Sequence, residues 1–397
     1  MSGGRTLPAA GPTTDVARAI LERARGMRND FVELLTRLAG HESPTDRPET
    51  QAGVQTVLIT ALRDLGYDTR IVRGHATGGH LYARPSTHER GVPAQLLVGH
   101  TDTVWPVGTL DGMPVHVDDG RLYGPGTFDM KGGLTLIVLA LRILRDLDLR
   151  PPAVPVVFVN SDEEIGSPES ARYVRMLARR TCRAFILEPG LGSDGLIKTE
   201  RKGVGRFDIT IRGRASHAGL APEAGVSAIV ELAHVIRKLG ELNDPDRGTT
   251  VNVGVVEGGV RPNVVAPLAR AAVDVRVRSA SDAIRLEEAI SGLEPTLPGI
   301  ALEVTGGVAI PPLERTPRNR ELWGAALDAG RDLGMELSET SAGGGSDGNT
   351  TSLFTATLDG LGCVGDGAHA AHEHVLIDAS LERCALLARL ILAPVAA

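Results

Sequence analysis

The sequence predicts an α/β protein in which a mainly parallel sheet with helices on both faces is interrupted by an inserted α+β sandwich. Continuous apolar runs at 94–98 (AQLLV), 154–160 (VPVVFVN) and 183–187 (RAFIL) read as strands buried on both faces. Helical patterns separate these runs, the alternation that builds parallel sheets. Beyond about residue 198 the strands alternate apolar with polar, as in RFDITIR at 206–212, which suits a sheet with one wetted face.

Taken in order, residues 1–13 form a loose Gly/Pro/Ala-rich lead-in. A helix is predicted over 14–40, with Thr14 or Asp15 as its cap, and a second amphipathic helix over 51–66. Short strands at 68–72 and 79–84 precede the first buried run. Helices at 130–147 and 168–180 then link the buried runs. In the insert, the strand at 206–212 leads to a helix at 225–242, strands at 249–256 and 269–278, and a helix at 281–293. Helices at 319–334 and 379–392 return the chain to the first domain. The expected organisation is a discontinuous domain of 1–200 plus 311–397, interrupted by 201–310. Gly203, Gly205 and Gly306-Gly307 near the junctions suit hinges.

Composition narrows the function classes. At 397 residues, 42% hydrophobic and 23% charged, the chain exceeds one small domain and is too apolar for a disordered one. Its 42 basic and 49 acidic residues give a net charge of −7, so no basic surplus is available for nucleic-acid phosphates. Cys182, Cys363 and Cys384 are odd in number and lack CxxC spacing, which argues against a disulfide framework or a thiolate metal site. The N-terminus lacks the basic-then-apolar pattern of a secretion signal. The longest apolar stretch, 134–141, is far short of the roughly 20 residues a membrane helix needs. A cytoplasmic setting without membrane partners is expected.

Groups that can bind metal follow the buried runs, where open α/β sheets place their ligands. His100-Thr101-Asp102 follow LLVG, Asp129 follows GPGTF, Asp162-Glu163-Glu164 follow VPVVFVN, and Glu188 follows RAFIL. The segment GDGAHAAHEHV adds His369, His372 and His374. Each alone reads as an ordinary loop residue; acidic and imidazole clusters recurring at strand ends together point to a metal site. A set of imidazoles and carboxylates suits zinc, cobalt or manganese, and two ions about 3.5–4 Å apart, bridged by a carboxylate, would use all of it. The GGGSD run at 343–347 lacks the GxxxxGK[ST] frame of a phosphate cradle.

The runs GHTDTVWP, GPGTFDMKGG, NSDEEIGS, LEPG, GRASHAG, APEAGVSAIVELAH, VEGGVRPNVV, GGGSDGN and GAHAAHEHV fall in one order across nearly the whole chain. In these the sequence resembles the zinc-dependent aminoacylase/carboxypeptidase family of di-zinc metallopeptidases. That family includes glutamate carboxypeptidases, acetylornithine deacetylase, succinyl-diaminopimelate desuccinylase, aminoacylases and dipeptidases. By its SHAGxxPExG and EGGxRPNVV runs it looks nearest to the folate-hydrolysing glutamate carboxypeptidases.

The resemblance implies two zinc ions per subunit, with His100 and Glu188 on one, Glu164 and His369 on the other, and Asp129 bridging them. It implies that Asp102 orients His100 and that Glu163 is the general base acting on a metal-bridging water. His369 fits the family's G-x-H pattern, with Gly367 before it and Glu373 after it; His372 is the alternative if the register differs. The insert is implied to be a lid that forms a homodimer and sends His217 into the partner's site to stabilise the oxyanion. Arg276 and Asn263 match residues that hold the substrate's free carboxylate and the oxyanion region, and Gly344 lies in a loop that lines the pocket through its backbone.

The implied activity is hydrolysis of the amide bond to a C-terminal amino acid with a free carboxylate, glutamate first, in a small peptide or N-acyl amino acid. The alternatives are an N-acyl-amino-acid deacylase or dipeptidase, and more remotely a binding protein that kept the fold and lost the chemistry. Such relatives typically lose the base or the bridging ligand, whereas Asp129, Glu163 and Glu164 are all present here.

Overall fold

The structure is a computed structural model and describes residues 12–395. The lead-in expected at 1–13 therefore lies almost wholly outside the described residues. The first helix, Pro12–Arg25, starts ahead of the expected cap at Thr14 or Asp15. A proline needs no hydrogen-bond donor in a helix's first turn. The pattern read as one helix over 14–40 is two, Pro12–Arg25 and Arg28–Ala39. The break falls at Gly26-Met27, where the amide of Met27 donates to Ala24 O at 3.0 Å and tightens the last turn.

The chain divides into two compact units. The first comprises the chain up to Thr199, Arg315–Thr340 and the chain from Ser346 onward; the second comprises Glu200–Glu314 and Ser341–Gly345.

The first unit is built on a six-stranded sheet. Its order in space is Tyr67–Val72, His80–Pro85, Val154–Asn160, Ala94–His100, Thr181–Ile186, Ala356–Leu358. The three runs read as doubly buried are adjacent and parallel, and Ala356–Leu358 extends them in parallel. The hairpin of Tyr67–Val72 and His80–Pro85 adds an antiparallel edge. Side chains of one strand serve two cores in alternation: Leu97 enters one apolar cluster, and Leu96 and Val98 enter another. The larger core packs helices Gly132–Asp146 and Ile377–Ile391 through residues such as Leu136, Ile143, Leu386 and Leu390. Helix Ala171–Ala178 covers the opposite face through Val174. Each such fully buried Leu, Ile or Val contributes roughly 1.5–3 kcal/mol of transfer free energy, enough to hold the strand ends in place.

The second unit is a four-stranded antiparallel sheet, ordered Thr250–Gly258, Leu268–Val277, Gly203–Arg212, Ala301–Ile310. Phe207, Ile209, Val273 and Val275 pack against Leu232 and Val235 of helix Ala228–Gly240 and Leu286 of helix Ala280–Ser291. The strand Ala301–Ile310 was not expected, because Gly306-Gly307 interrupts its alternation. Those glycines lie within a paired strand. They pair with Phe207 and Arg206 inside the sheet, and a Cβ on Gly306 would lie 2.1 Å from Arg206 O. Gly203 and Gly205 are likewise inside a paired strand. All three cysteines are free, with Cys363 and Cys384 buried. Among the described residues no helix is long and apolar enough to cross a membrane.

Candidate metal centre and active site

The carboxyl ends of the three adjacent parallel strands bring His100, Glu163, Glu164 and Glu188 to one place. His100 is the last residue of its strand; the turn Glu163–Ile165 follows Val154–Asn160, and Glu188 follows Thr181–Ile186. Asp129 comes from the irregular turn Thr127–Lys131, which enters helix Gly132–Asp146. That helix lies close to the sheet because of its glycines: a Cβ on Gly133 would sit 2.0 Å from Leu187 O, the residue before Glu188. His369 reaches in from a C-terminal loop, in the left-handed region at φ 61°.

Asp129 lies between two imidazoles. Its Oδ1 is 3.5 Å from His100 Nε2 and its Oδ2 is 3.4 Å from His369 Nε2. Around His100 Nε2 stand Glu188 Oε1 at 3.5 Å and Glu163 Oε2 at 4.0 Å. Around His369 Nε2, Glu164 Oε2 stands at 3.2 Å. A cation with arms of 2.0–2.1 Å sets tetrahedral donors about 3.3–3.4 Å apart; the spacings of 3.2–3.5 Å suit groups sharing an ion, whereas the 4.0 Å to Glu163 is longer. Asp129 Oδ1 and Glu164 Oε1 are also buried without a hydrogen-bond partner, an arrangement that a metal ligand explains. His100, Asp129 and Glu164 form one potential metal-holding triad, and His100, Glu163 and Glu188 another.

The electrostatics follow from this crowding. Burial works against charge on His100, but the carboxylates of Asp102, Asp129 and Glu188 outweigh it and hold its pKa well above the ordinary value. Asp129 and Glu164 raise His369 to about 10. Burial, then the neighbouring Glu188, holds the Glu163 carboxyl well above its usual range. The cluster is therefore an anionic pocket in which a proton or a cation is strongly favoured.

Asp102 does more than face His100. His100 Nδ1 is 2.9 Å from the Asp102 carbonyl and 3.4 Å from its Oδ1. The carboxylate accepts the backbone amides of Glu163 and Glu164, at 3.2 and 3.1 Å, and the hydroxyl of Thr45 at 2.8 Å. His372 stays outside, two-thirds exposed and 3.9 Å from Asp366.

The remaining candidates lie in the second unit. His217 is exposed, and its Nδ1 accepts the amides of Gly219 and Leu220 at 3.1 and 3.2 Å. Those bonds leave Nε2 to carry the proton of the neutral ring. The carbonyl of Asn263 accepts the Ala218 amide at 3.0 Å, so Asn263 adjoins the His217 turn. Arg276 forks onto Asp274, with Nε and Nη2 at 2.9 and 3.0 Å from the two carboxylate oxygens. The carbonyl of Gly344 accepts from Arg201 at 3.1 Å.

Three residues without an expected role also shape the centre. Glu373 is fully buried and binds the backbone that carries Asp129. Lys131 is buried with its Nζ 2.7 Å from His41 O, and burial pushes its ammonium down to about 8. Asp347 is buried beside the Glu163 turn. Glu373 was visible as the acid after His369 and Lys131 as part of DMKGG, but a support role leaves no signal in spacing alone.

Residues 96–393 match the peptidase family M20/M25/M40. The chain is 28% identical over 374 residues to carboxypeptidase G2 of Pseudomonas sp. (strain RS-16), covering 91% of this chain and 88% of that protein. It is also 28% identical over 391 residues to a succinyl-diaminopimelate desuccinylase of Dechloromonas aromatica (strain RCB), covering 92% and 98%. The crystal structure of aminopeptidase PepT from Bacillus cereus ATCC 10987 superimposes with a TM-score of 0.76 at 25% identity, covering 94% of this chain and 98% of that one. Fold and site together define a hydrolase of the metallopeptidase and amidohydrolase class. The chain belongs to the peptidase family M20/M25/M40.

Proposed function

We propose that this enzyme is a di-metal carboxypeptidase that hydrolyses the amide bond to a C-terminal amino acid bearing a free carboxylate, with glutamate as the preferred residue. The observation that carries the reading is Asp129 standing between His100 and His369, with Glu163 alongside and outside the pairing. The similarity to carboxypeptidase G2 over 91% of the chain supports the substrate class.

His100, Asp129, Glu164, Glu188 and His369 would hold two ions, zinc or alternatively cobalt or manganese. Bound there, the ions would polarise the scissile carbonyl and lower the pKa of water toward neutrality. Glu163 takes a proton from the attacking water as its oxygen bonds to the carbonyl carbon. It returns that proton to the amide nitrogen as the C–N bond breaks. Its place beside His100 Nε2, at 4.0 Å, puts the carboxylate within reach of a water held in the centre. Asp102 holds the Glu163 turn by its amides and His100 from behind.

We further infer a homodimer through the second unit, in which Nε2 of His217 donates to the oxyanion in the other subunit's site. Arg276 takes the substrate carboxylate beside Asn263, and the Gly344 backbone lines the pocket.

The deacylase reading has equal support in one respect: the desuccinylase relative matches at the same 28% identity over 92% of the chain. The deciding experiment is amine release from a panel of acyl and peptidyl amino acids, with a chelator control. Chelator-sensitive cleavage that favours C-terminal glutamate supports the carboxypeptidase. Rates governed by the acyl group instead place the enzyme among deacylases. No cleavage by protein that still holds metal overturns both readings.

A further inference from the structure

We propose that Asp347 is a positioning residue that fixes the general-base turn from behind. The proposal rests on the reading of Glu163 as the base. Asp347 opens the short helix Asp347–Thr351 and is 3% exposed. Its own backbone is held by a capping box: Ser346 Oγ accepts the Gly348 amide at 3.0 Å, and Asn349 Oδ1 accepts the Ser346 amide at 3.0 Å.

From that fixed place its two carboxylate oxygens reach opposite ends of one loop. Oδ2 accepts from Asn160 Nδ2 at 2.5 Å and Oδ1 accepts from Ser167 Oγ at 2.8 Å. Asn160 is the last residue of its strand, and Ser167 follows the turn at a left-handed φ of 56°. The carboxylate thus staples the two ends of segment 161–166, which contains Glu163 and Glu164. Within the staple, the amides of Gly166 and Ser167 donate back to Glu163 O and Asp162 O, at 2.7 and 2.8 Å. Asp102 holds the same turn from the other side by the amides of Glu163 and Glu164.

The staple also reaches the other strand end. The carbonyl of Asn160 accepts both the amide and the hydroxyl of Thr101, at 2.8 and 3.0 Å. Asp347 therefore sets the Glu163 turn relative to the His100–Asp102 segment through hydrogen bonds to Asn160 and Ser167. Burying an acid in this place is unfavourable, and burial pushes its carboxyl up to about 7. What the side chain supplies in return is two acceptors at a fixed separation.

The test uses Asp347→Ala, Asp347→Asn and Ser167→Ala in the full chain, with the substrate cleaved in the panel above. Asp347→Ala is expected to lower kcat about 100-fold at saturating metal, the scale of a 1 Å misplacement, with KM within about threefold. Asparagine can accept from Asn160 and donate to Ser167, so Asp347→Asn is expected to recover kcat to within about tenfold of wild type. Ser167→Ala, which removes one of the two bonds, is expected to cost about tenfold in kcat and serves if the alanine variant at 347 does not fold. Amide hydrogen exchange of metal-free protein is expected to rise at least about tenfold across 161–170 in Asp347→Ala and stay unchanged in helix Gly132–Asp146.

In a Glu163→Ala background at saturating metal, Asp347→Ala should change the residual rate by less than about threefold, because the base that the staple positions is gone. A full multiplicative loss in that background, or unchanged exchange across 161–170, overturns the proposal. Near wild-type turnover of Glu163→Ala alone instead overturns the base assignment, and the exchange result still reports on the staple.

Discussion

Glu373 takes the amides of Phe128 and Asp129 onto one carboxylate oxygen, at 2.9 and 3.0 Å, and the amide of Gly126 onto the other at 2.9 Å. The Trp105 indole adds a fourth bond at 2.8 Å. A single buried side chain thus holds the loop that presents Asp129 to both imidazoles. Burial holds the Glu373 carboxyl above its usual range, and these four donors work against that rise.

Glu373→Gln turns an amide NH2 toward backbone donors and leaves at least one of them unsatisfied. The expected loss is about 1–3 kcal/mol of stability. Metal affinity should weaken about 10–100-fold, the usual scale when the partner of a ligand is removed. Thermal melting and competition with a chelator measure the two effects, and wild-type metal retention would show that Asp129 holds its place without Glu373.

Glu163→Ala should retain metal and lose turnover by about 10²–10⁴-fold. Metal analysis beside steady-state rates checks both halves. An active variant would move the base to another group.

His369 and His372 lie three residues apart and differ in placement, one against Asp129 and Glu164, the other exposed beside Asp366. His369→Ala should lower bound metal and abolish most activity. His372→Ala should change neither by more than about twofold, since exposed substitutions away from such features are usually near neutral. Equal effects would mean the loop register differs from this one.

A homodimer with crossed sites predicts complementation. His217→Ala should fold, bind metal and turn over poorly, because one oxyanion donor is typically worth about 10²–10³ in kcat. Mixed with Glu163→Ala after subunit exchange, it should regain activity toward one quarter of wild type if each competent site draws on both chains. No recovery in demonstrably mixed dimers would place His217 in its own subunit's site or outside the chemistry.

Gly133→Ala would put a methyl 2.0 Å from Leu187 O, a backbone atom that cannot swing aside. Overpacking of this kind costs about 1–3 kcal/mol. Because Leu187 precedes Glu188, the variant should lose metal affinity as well as thermal stability. Normal metal binding at a lowered melting point would separate the helix–strand contact from the site.

Much of this architecture was legible in the chain. The runs at 94–98, 154–160 and 183–187 became adjacent parallel strands because strands buried on both faces must be apolar throughout, and that signal is local. The alternation of RFDITIR likewise marked the half-wetted sheet of the insert. The strand Ala301–Ile310 was illegible because its glycines serve a close approach to the neighbouring strand, which local sequence does not display. The break at Gly26-Met27 was hidden by apolar residues that keep a helical period on both sides of it.

The amino-acid sequence by itself determined the fold class and the inventory of imidazoles and carboxylates at strand ends, because burial periodicity and residue type are properties of short segments. The resemblance already named Asp129 as the bridge and His369 ahead of His372; only the tertiary structure decided the distances that set Asp129 between His100 and His369, and that Asp102, Glu373 and Asp347 each grip backbone or side chains of distant loops. Those relations join residues far apart in the chain, such as Asn160 with Asp347, and a contact of that kind depends on how packed helices and strands set distances in space.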